Sequence, residues 1–254
     1  MASITAHDNQ SGLDLTNPPS VATLKPSHLV PLALATNESL RGFGHVITDF
    51  ATAGCAITPW PTSGWRPLVP GTGDEGGCVE DVFRLQRRGH VQYAENVGLG
   101  RTYVTGWYGS DPATAAGLEG AEPAPGDLTT VLTHEANYHP DGAQVFAARA
   151  PNPQPFVLLL APPGDDVTPA DFRAFYVDPA AGALGVHVNA GVWHQPAFPA
   201  AGSAGPLVMD NRQGRVHACV SADFVREFGC YLRVPLVLPP ALGPSAARGQ
   251  EGTK

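Results

Sequence analysis

The chain has 254 residues, a net charge of −8 and only 15% charged side chains, a balance that argues against a nucleic-acid backbone as partner. At 43% hydrophobic it can bury the core of one large domain or two small ones, and its 26 prolines and 29 glycines favour short strands and turns over long helices. No apolar run approaches the roughly 18 residues of a membrane span, and the start MASITAHDNQ lacks the charged and apolar regions of a secretory signal.

Cysteines fall at 55, 78, 219 and 230, without a CxxC pair, which speaks against a zinc knuckle. The expectation is a cytoplasmic protein with reduced thiols and no membrane partner.

Residues 1–28 read as a polar, turn-rich lead-in. Leu29–Leu34 is apolar, and Thr36-Asn37-Glu38-Ser39-Leu40 has the make-up of a capped short helix. Phe43–Ile47 reads as the first strand. Residues 51–77 form a long Gly/Pro loop that Trp60 and Trp65 are expected to pin to the body. It contains no GxxxxGK[ST] phosphate loop, and no nucleotide cofactor is expected.

Val82–Leu85, Val91–Ala94 and Arg101–Tyr108 follow as strands rich in Val, Thr, Tyr and Trp. After a second loop at 109–127 come strands at Thr129–Thr133, Gln144–Ala148, Phe156–Ala161 and Phe172–Val177, separated by proline-rich turns. Pro206–Asp210, Val216–Val220 and Cys230–Leu238 close the series, with one or two helical turns within 221–228. The tail 241–254 is small and polar and is expected to fray. About ten short strands and few helices predict an all-β fold, a double-sheet barrel or jelly roll with long loop decorations, formed by one domain over 29–240.

Two clusters carry the chemistry. In the first, His134-Glu135-Ala136-Asn137-Tyr138-His139-Pro140-Asp141-Gly142-Ala143-Gln144, the side chains of His139 and Gln144 flank a tight turn. One of His134 and Glu135 should face inward by alternation. The second, Gly185–Pro196, starts as an alternating strand with Val186 and Val188 on one face and His187 and Asn189 on the other. It turns at Gly191 and resumes with Val192-Trp193-His194. Each histidine taken singly reads as a turn or hairpin residue. Together the clusters point to a metal or direct substrate contact, since imidazole ligates divalent metals and an amide oxygen is an acceptable weak ligand.

The runs HEANYHPDGAQVF, FRAFYV and GVHVNAGVWHQP, in that order, resemble the ureidoglycolate lyase (ureidoglycolate hydrolase) family, a branch of the cupins. The likeness covers about residues 128–200, with a weaker echo in LRGFGHVI at 40–47. His139, Pro140, Gly142 and Gln144 match the family's first motif. Gly185, Val186, Val192, Trp193, His194 and Pro196 match its second. Asn189 stands where the family has a histidine, which His187 would replace, and Asn137 stands where an acidic residue is common.

The resemblance implies a cupin-like double-stranded β-helix and a carbon–nitrogen lyase that releases urea and glyoxylate from ureidoglycolate, in allantoin and purine-nitrogen breakdown. It implies His139, Gln144 and His194 at the centre, as ligands where a divalent metal is bound. His187 and His194 would be the acid–base groups. Arg173, Tyr103, Tyr108, Asn189 and Trp193 would line the substrate site. His187 and Asn189 are expected to face inward, with His187 close to His194. A homodimer is the expected assembly. Two other classes stay open: a metal-dependent cupin oxygenase or isomerase of a small organic acid, and a non-catalytic cupin that binds one.

Overall fold

A computed structural model describes residues 26–57, 78–98, 100–109, 123–164, 166–203, 205–214 and 219–240. Outside these lie most of the lead-in, Trp60 and Trp65, the greater part of both long loops, residues 216–218 and the tail 241–254.

The described residues are almost entirely β. The first strands are β1 (Ser27–Leu29), β2 (Leu32–Leu34), β3 (Gly44–Ile47), β4 (Cys78–Arg88), β5 (Val91–Asn96) and β6 (Arg101–Tyr108). Then come β7 (Thr130–Thr133), β8 (Glu135–Tyr138), β9 (Gln144–Ala148), β10 (Phe156–Ala161), β11 (Arg173–Val177) and β12 (Gly185–Val188). The last are β13 (Trp193–His194), β14 (Phe198–Pro199), β15 (Leu207–Gly214), β16 (Val220–Asp223), the short helix α1 (Phe224–Phe228) and β17 (Tyr231–Pro235). None of the described helices is long and apolar enough to cross a membrane.

The strands build two sheets. One has ten strands in the order β1-β17-β7-β6-β5-β4-β15-β9-β12-β3. The other runs β16-β8-β13-β10-β11-β2, with β14 also paired to β10. Pairing is antiparallel except for β1 with β17 and β2 with β11. This is the expected all-β, jelly-roll type of architecture, compatible with a cupin.

β10 explains how the sheets are arranged. Its sequence FVLLLA is a continuous apolar run, the pattern of a strand buried on both faces. Phe156, Leu158 and Leu160 pack into one cluster, with Phe83, Leu85, Phe146, Val186, Val188, Leu207 and Met209 from β4, β9, β12 and β15. Val157, Leu159 and Ala161 pack into a second, with Tyr108, Val131, Leu232 and Val234 from β6, β7 and β17. The ten-stranded sheet therefore curls round the smaller one and covers both of its sides. Each fully buried side chain of this kind contributes about 1.5–3 kcal/mol.

Several expectations change in detail. Residues 36–40 form a hydrogen-bonded turn rather than a helix, with the Ser39 amide donating to Thr36 Oγ1 at 3.0 Å. The last residues of the lead-in, Ser27 and His28, lie in β1 beside Tyr231 and Leu232. β15 runs to Gly214, four residues beyond the expected end, because β4 pairs with its whole length from Leu85 to Cys78.

Candidate active site

Twice at one end of the molecule the chain changes sheets through a glycine turn. β8, in the smaller sheet, leads through His139–Ala143 into β9 of the larger one. β12, in the larger sheet, leads through Asn189–Val192 into β13 of the smaller one. Gly191 has φ 76°, a left-handed conformation that suits glycine, and its amide donates to the His139 carbonyl at 3.1 Å. The two turns are thus bonded to each other. Gly185 permits the approach of β12 to β9, since a Cβ there would stand 2.1 Å from the Phe146 carbonyl oxygen.

These corners bring His139, Gln144 and His194 together, as the motifs predict. The rings of His139 and His194 are 5.0 Å apart. His194 is buried, with Nε2 2.7 Å from Gln144 Oε1 and Nδ1 2.8 Å from the Val192 carbonyl. Burial, and then the neighbouring His139, push its pKa down to about 3, so the ring is neutral at working pH. With Nδ1–H donated to Val192, the neutral ring has no proton left for Gln144, so the Nε2 lone pair and Gln144 Oε1 face each other as two acceptors that an incoming donor would satisfy.

Gln144 is held from β15. Its Nε2 donates to Asn211 Oδ1 at 2.7 Å and to Gln213 Oε1, and Asn211 Nδ2 donates to the same Gln213 oxygen at 3.1 Å. Sequence reasoning missed these amides because it ended the strand at Asp210. The alternation Leu207, Met209, Asn211, Gln213, continued four residues further, would have placed both on the inner face. Asn137, in register with His194, accepts from the Ser221 hydroxyl. Asp141 is buried with its carboxylate against Gly214, where a Cβ would come within 2.3 Å of Oδ2.

Other expected site residues lie elsewhere. Val186 and Val188 point inward with Phe146, so His187 between them faces outward. It is in register with Val145 and stacks on His45 at 4.6 Å, on the face of the sheet opposite Gln144 and His194. The expected inward His187 is thereby corrected, because the apolar half of the alternation claims the core. Asn189 is exposed in its turn, and its amide donates to the Phe43 carbonyl at 2.9 Å.

Trp193, next to His194 on a strand, faces the opposite side. Its ring meets Tyr138 edge-on at 4.7 Å and its Nε1 donates to the Gly164 carbonyl at 2.7 Å. It is a core residue rather than a substrate contact. Tyr108 packs in the same cluster and its hydroxyl donates to Gln92 Oε1, while burial pushes its pKa up. Arg173 is exposed and spends its guanidinium on the Ala170 and Phe172 carbonyls, each at 2.8 Å, so it does not reach into the interior. Tyr103 is half-buried and in register with Ala94 of the inner cluster.

The converging donors are two imidazoles and one amide oxygen. Among the described residues no three His, Cys, Asp or Glu side chains gather as a metal site. Gln144 Oε1 and His194 Nε2 also lie against each other at 2.7 Å. This set falls short of the three strong ligands that a resident divalent metal normally takes from a protein.

The family model for ureidoglycolate lyase matches residues 125–228, which hold both histidine clusters and the β15 amides. A ureidoglycolate lyase of Azotobacter vinelandii is 40% identical over 60 residues, 24% of this chain and 33% of the relative. Those of Pseudomonas paraeruginosa and Pseudomonas aeruginosa are 37% identical over 89 residues, 35% of this chain and 49% of each relative. The matched stretch spans between a third and a half of these relatives' length. The resemblance carried by the two motifs is found here as well.

Proposed function

We propose that this chain, similar to the ureidoglycolate lyases over residues 125–228, is itself a carbon–nitrogen lyase that releases urea and glyoxylate from ureidoglycolate. The observation that carries the reading is the buried His194–Gln144 pair beside His139, inside the matching region.

Ureidoglycolate bears a hydroxyl, a carboxylate and a urea nitrogen on one carbon. Its cleavage needs a base at the hydroxyl and a proton at the departing nitrogen. His194 suits the first task. Burial keeps the ring neutral, and the Val192 carbonyl fixes the proton on Nδ1. A substrate hydroxyl that displaces Gln144 Oε1 would meet the Nε2 lone pair, and the imidazolium formed would be held by the Val192 carbonyl. His139 and the amides of Gln144, Asn211 and Gln213 orient the substrate. This reading extends to a cytoplasmic homodimer. None of the four cysteines forms a disulfide, in keeping with a reducing compartment.

The test is to supply ureidoglycolate and measure urea and glyoxylate, with and without a chelator. Equimolar release, unchanged by the chelator, is expected. Oxygen consumption restored by added iron would favour the oxygenase alternative, and ligand-induced thermal stabilisation without turnover would favour a binding module. Size measurement in solution checks the dimer.

A further inference from the structure

We infer that Glu135 is the group that delivers the proton to the departing urea nitrogen. This rests on the lyase reading above and completes its proton inventory.

The strand register places Glu135. On β8, Ala136 and Tyr138 face the core cluster around Trp193, so Glu135 and Asn137 share the other face. Asn137 is in register with His194 across β8 and β13. Glu135, two residues back on the same face, is a diagonal neighbour of His194, and the Cα atoms of such neighbours lie about 7–8 Å apart, within reach of long side chains. Both side chains leave the sheet on the same face, so one small molecule that carries a hydroxyl and a nitrogen on the same carbon can be offered to both. The strand also presents the carboxyl to the interior: Glu135 is only 9% exposed.

Burial then divides the roles. Removing a group from water disfavours its charged form, so an imidazole sheds its proton and a carboxyl keeps one. His194 and His134 are pushed down to about 3 and about 4, and neither holds a spare proton at neutral pH. Glu135 is pushed up to about 8, by burial first and then by the carboxylate of Asp223, its register partner on β16. It is an acid in the protonated form where the histidines are not.

The titratable surroundings are few. His134 Nε2 lies 3.9 Å from Glu135 Oε2. From β16 comes Asp223, and just before that strand the half-buried Cys219, whose thiol desolvation pushes up to about 12. Tyr231 on β17 and Arg226 and Glu227 on α1 face Asp223 in turn. His194 stands across β13.

The step balances. His194 Nε2 takes the hydroxyl proton, the oxygen's electrons form the glyoxylate C=O, and the C–N bond breaks with its electron pair on nitrogen. Glu135 gives that nitrogen its proton and leaves urea. The proton on His194 then returns to the Glu135 carboxylate through solvent.

The experiment compares wild type, Glu135→Gln and Asp223→Asn by urea release across pH and by thermal melting. Glu135→Gln should lower kcat by about 10²–10⁴-fold, the range for a lost general acid, with KM little changed and no loss of Tm. Wild-type kcat should fall on the alkaline side, and Asp223→Asn, which removes the like charge, should move that fall to lower pH. A Glu135→Gln protein that keeps more than a tenth of wild-type kcat overturns the assignment. An alkaline limb that stays put in Asp223→Asn overturns it too, and decides the matter if Glu135→Gln does not fold. A wild type that releases no urea sinks the lyase reading and takes this assignment with it. An active wild type with an active Glu135→Gln overturns the assignment alone.

Discussion

The Nε2 atom of His194 lies 2.7 Å from Oε1 of Gln144, a residue 50 positions earlier in the chain and in the other sheet. The pair spans the interior at the end where the chain twice crosses between sheets. It is held from both sides, by the Val192 carbonyl behind the ring and by Asn211 and Gln213 behind the amide.

Gln144→Leu should therefore destabilise the fold out of proportion to its size. It strips the donor from Asn211 Oδ1 and one of the two donors from Gln213 Oε1. A buried polar group left unpaired costs about 1–3 kcal/mol. Urea denaturation should show a lower midpoint. A midpoint equal to wild type would mean that the amide network contributes nothing.

His194→Ala and Trp193→Ala should separate chemistry from packing. Loss of the imidazole should cost about 10²–10⁴-fold in urea release, with a smaller loss of stability from the orphaned Val192 oxygen. Trp193 is fully buried against Tyr138, and its truncation should cost about 3–5 kcal/mol. Thermal melting and urea release on both variants test this. Near-normal turnover in His194→Ala would remove it from the site.

His187→Ala should leave turnover near wild type. The ring stacks on His45, on the sheet face turned away from His194. The variant loses only that contact and the lateral packing of β12 on edge strand β3. A hundredfold drop in kcat with an unchanged melting point would show that His187 reaches the reaction after all.

Stability should peak near pH 6.5. Burial lowers His194 from 6.5 to about 3 and His134 from 6.5 to about 4, and it raises Glu135 from 4.5 to about 8. Below about pH 6.5 the unfolded histidines bind protons that the folded ones refuse, so stability is lost as pH falls. Above about pH 4.5 the unfolded Glu135 releases a proton that the folded one keeps, so stability is lost as pH rises toward 8. His194 and His134, with His187 lowered in the same direction, outweigh the carboxyl and tip the balance upward until about 6.5, and Glu135 leads the decline beyond. Each pKa unit is worth about 1.4 kcal/mol. Denaturation midpoints between pH 4 and 9 check the shape. Glu135→Gln should flatten the alkaline side alone.

Local patterns in the sequence were enough for the β-rich fold class and the exact limits of β6, β9 and β10, and the resemblance carried by the two motifs for the gathering of His139, Gln144 and His194. Those features depend on neighbours along the chain: a continuous apolar run in FVLLLA, and glycine turns at fixed distances from each motif residue. What local pattern leaves open is which face of a strand is inside. Period two sorts His187 from Val186 but does not say which of them the core takes. Only the opposing layer of Phe146, Leu158 and Leu160 decides for the valines.

The same holds for residues that act from a distance. Asn211 and Gln213 reach Gln144 only because β15 pairs with β9, and Asp223 raises Glu135 only because β16 pairs with β8. Burial, which makes His194 neutral and Glu135 protonated, is a property of the assembled sheets. Long-range pairing and desolvation are set by the tertiary structure, since neither the partner strand nor the loss of water is encoded within reach of the residue itself.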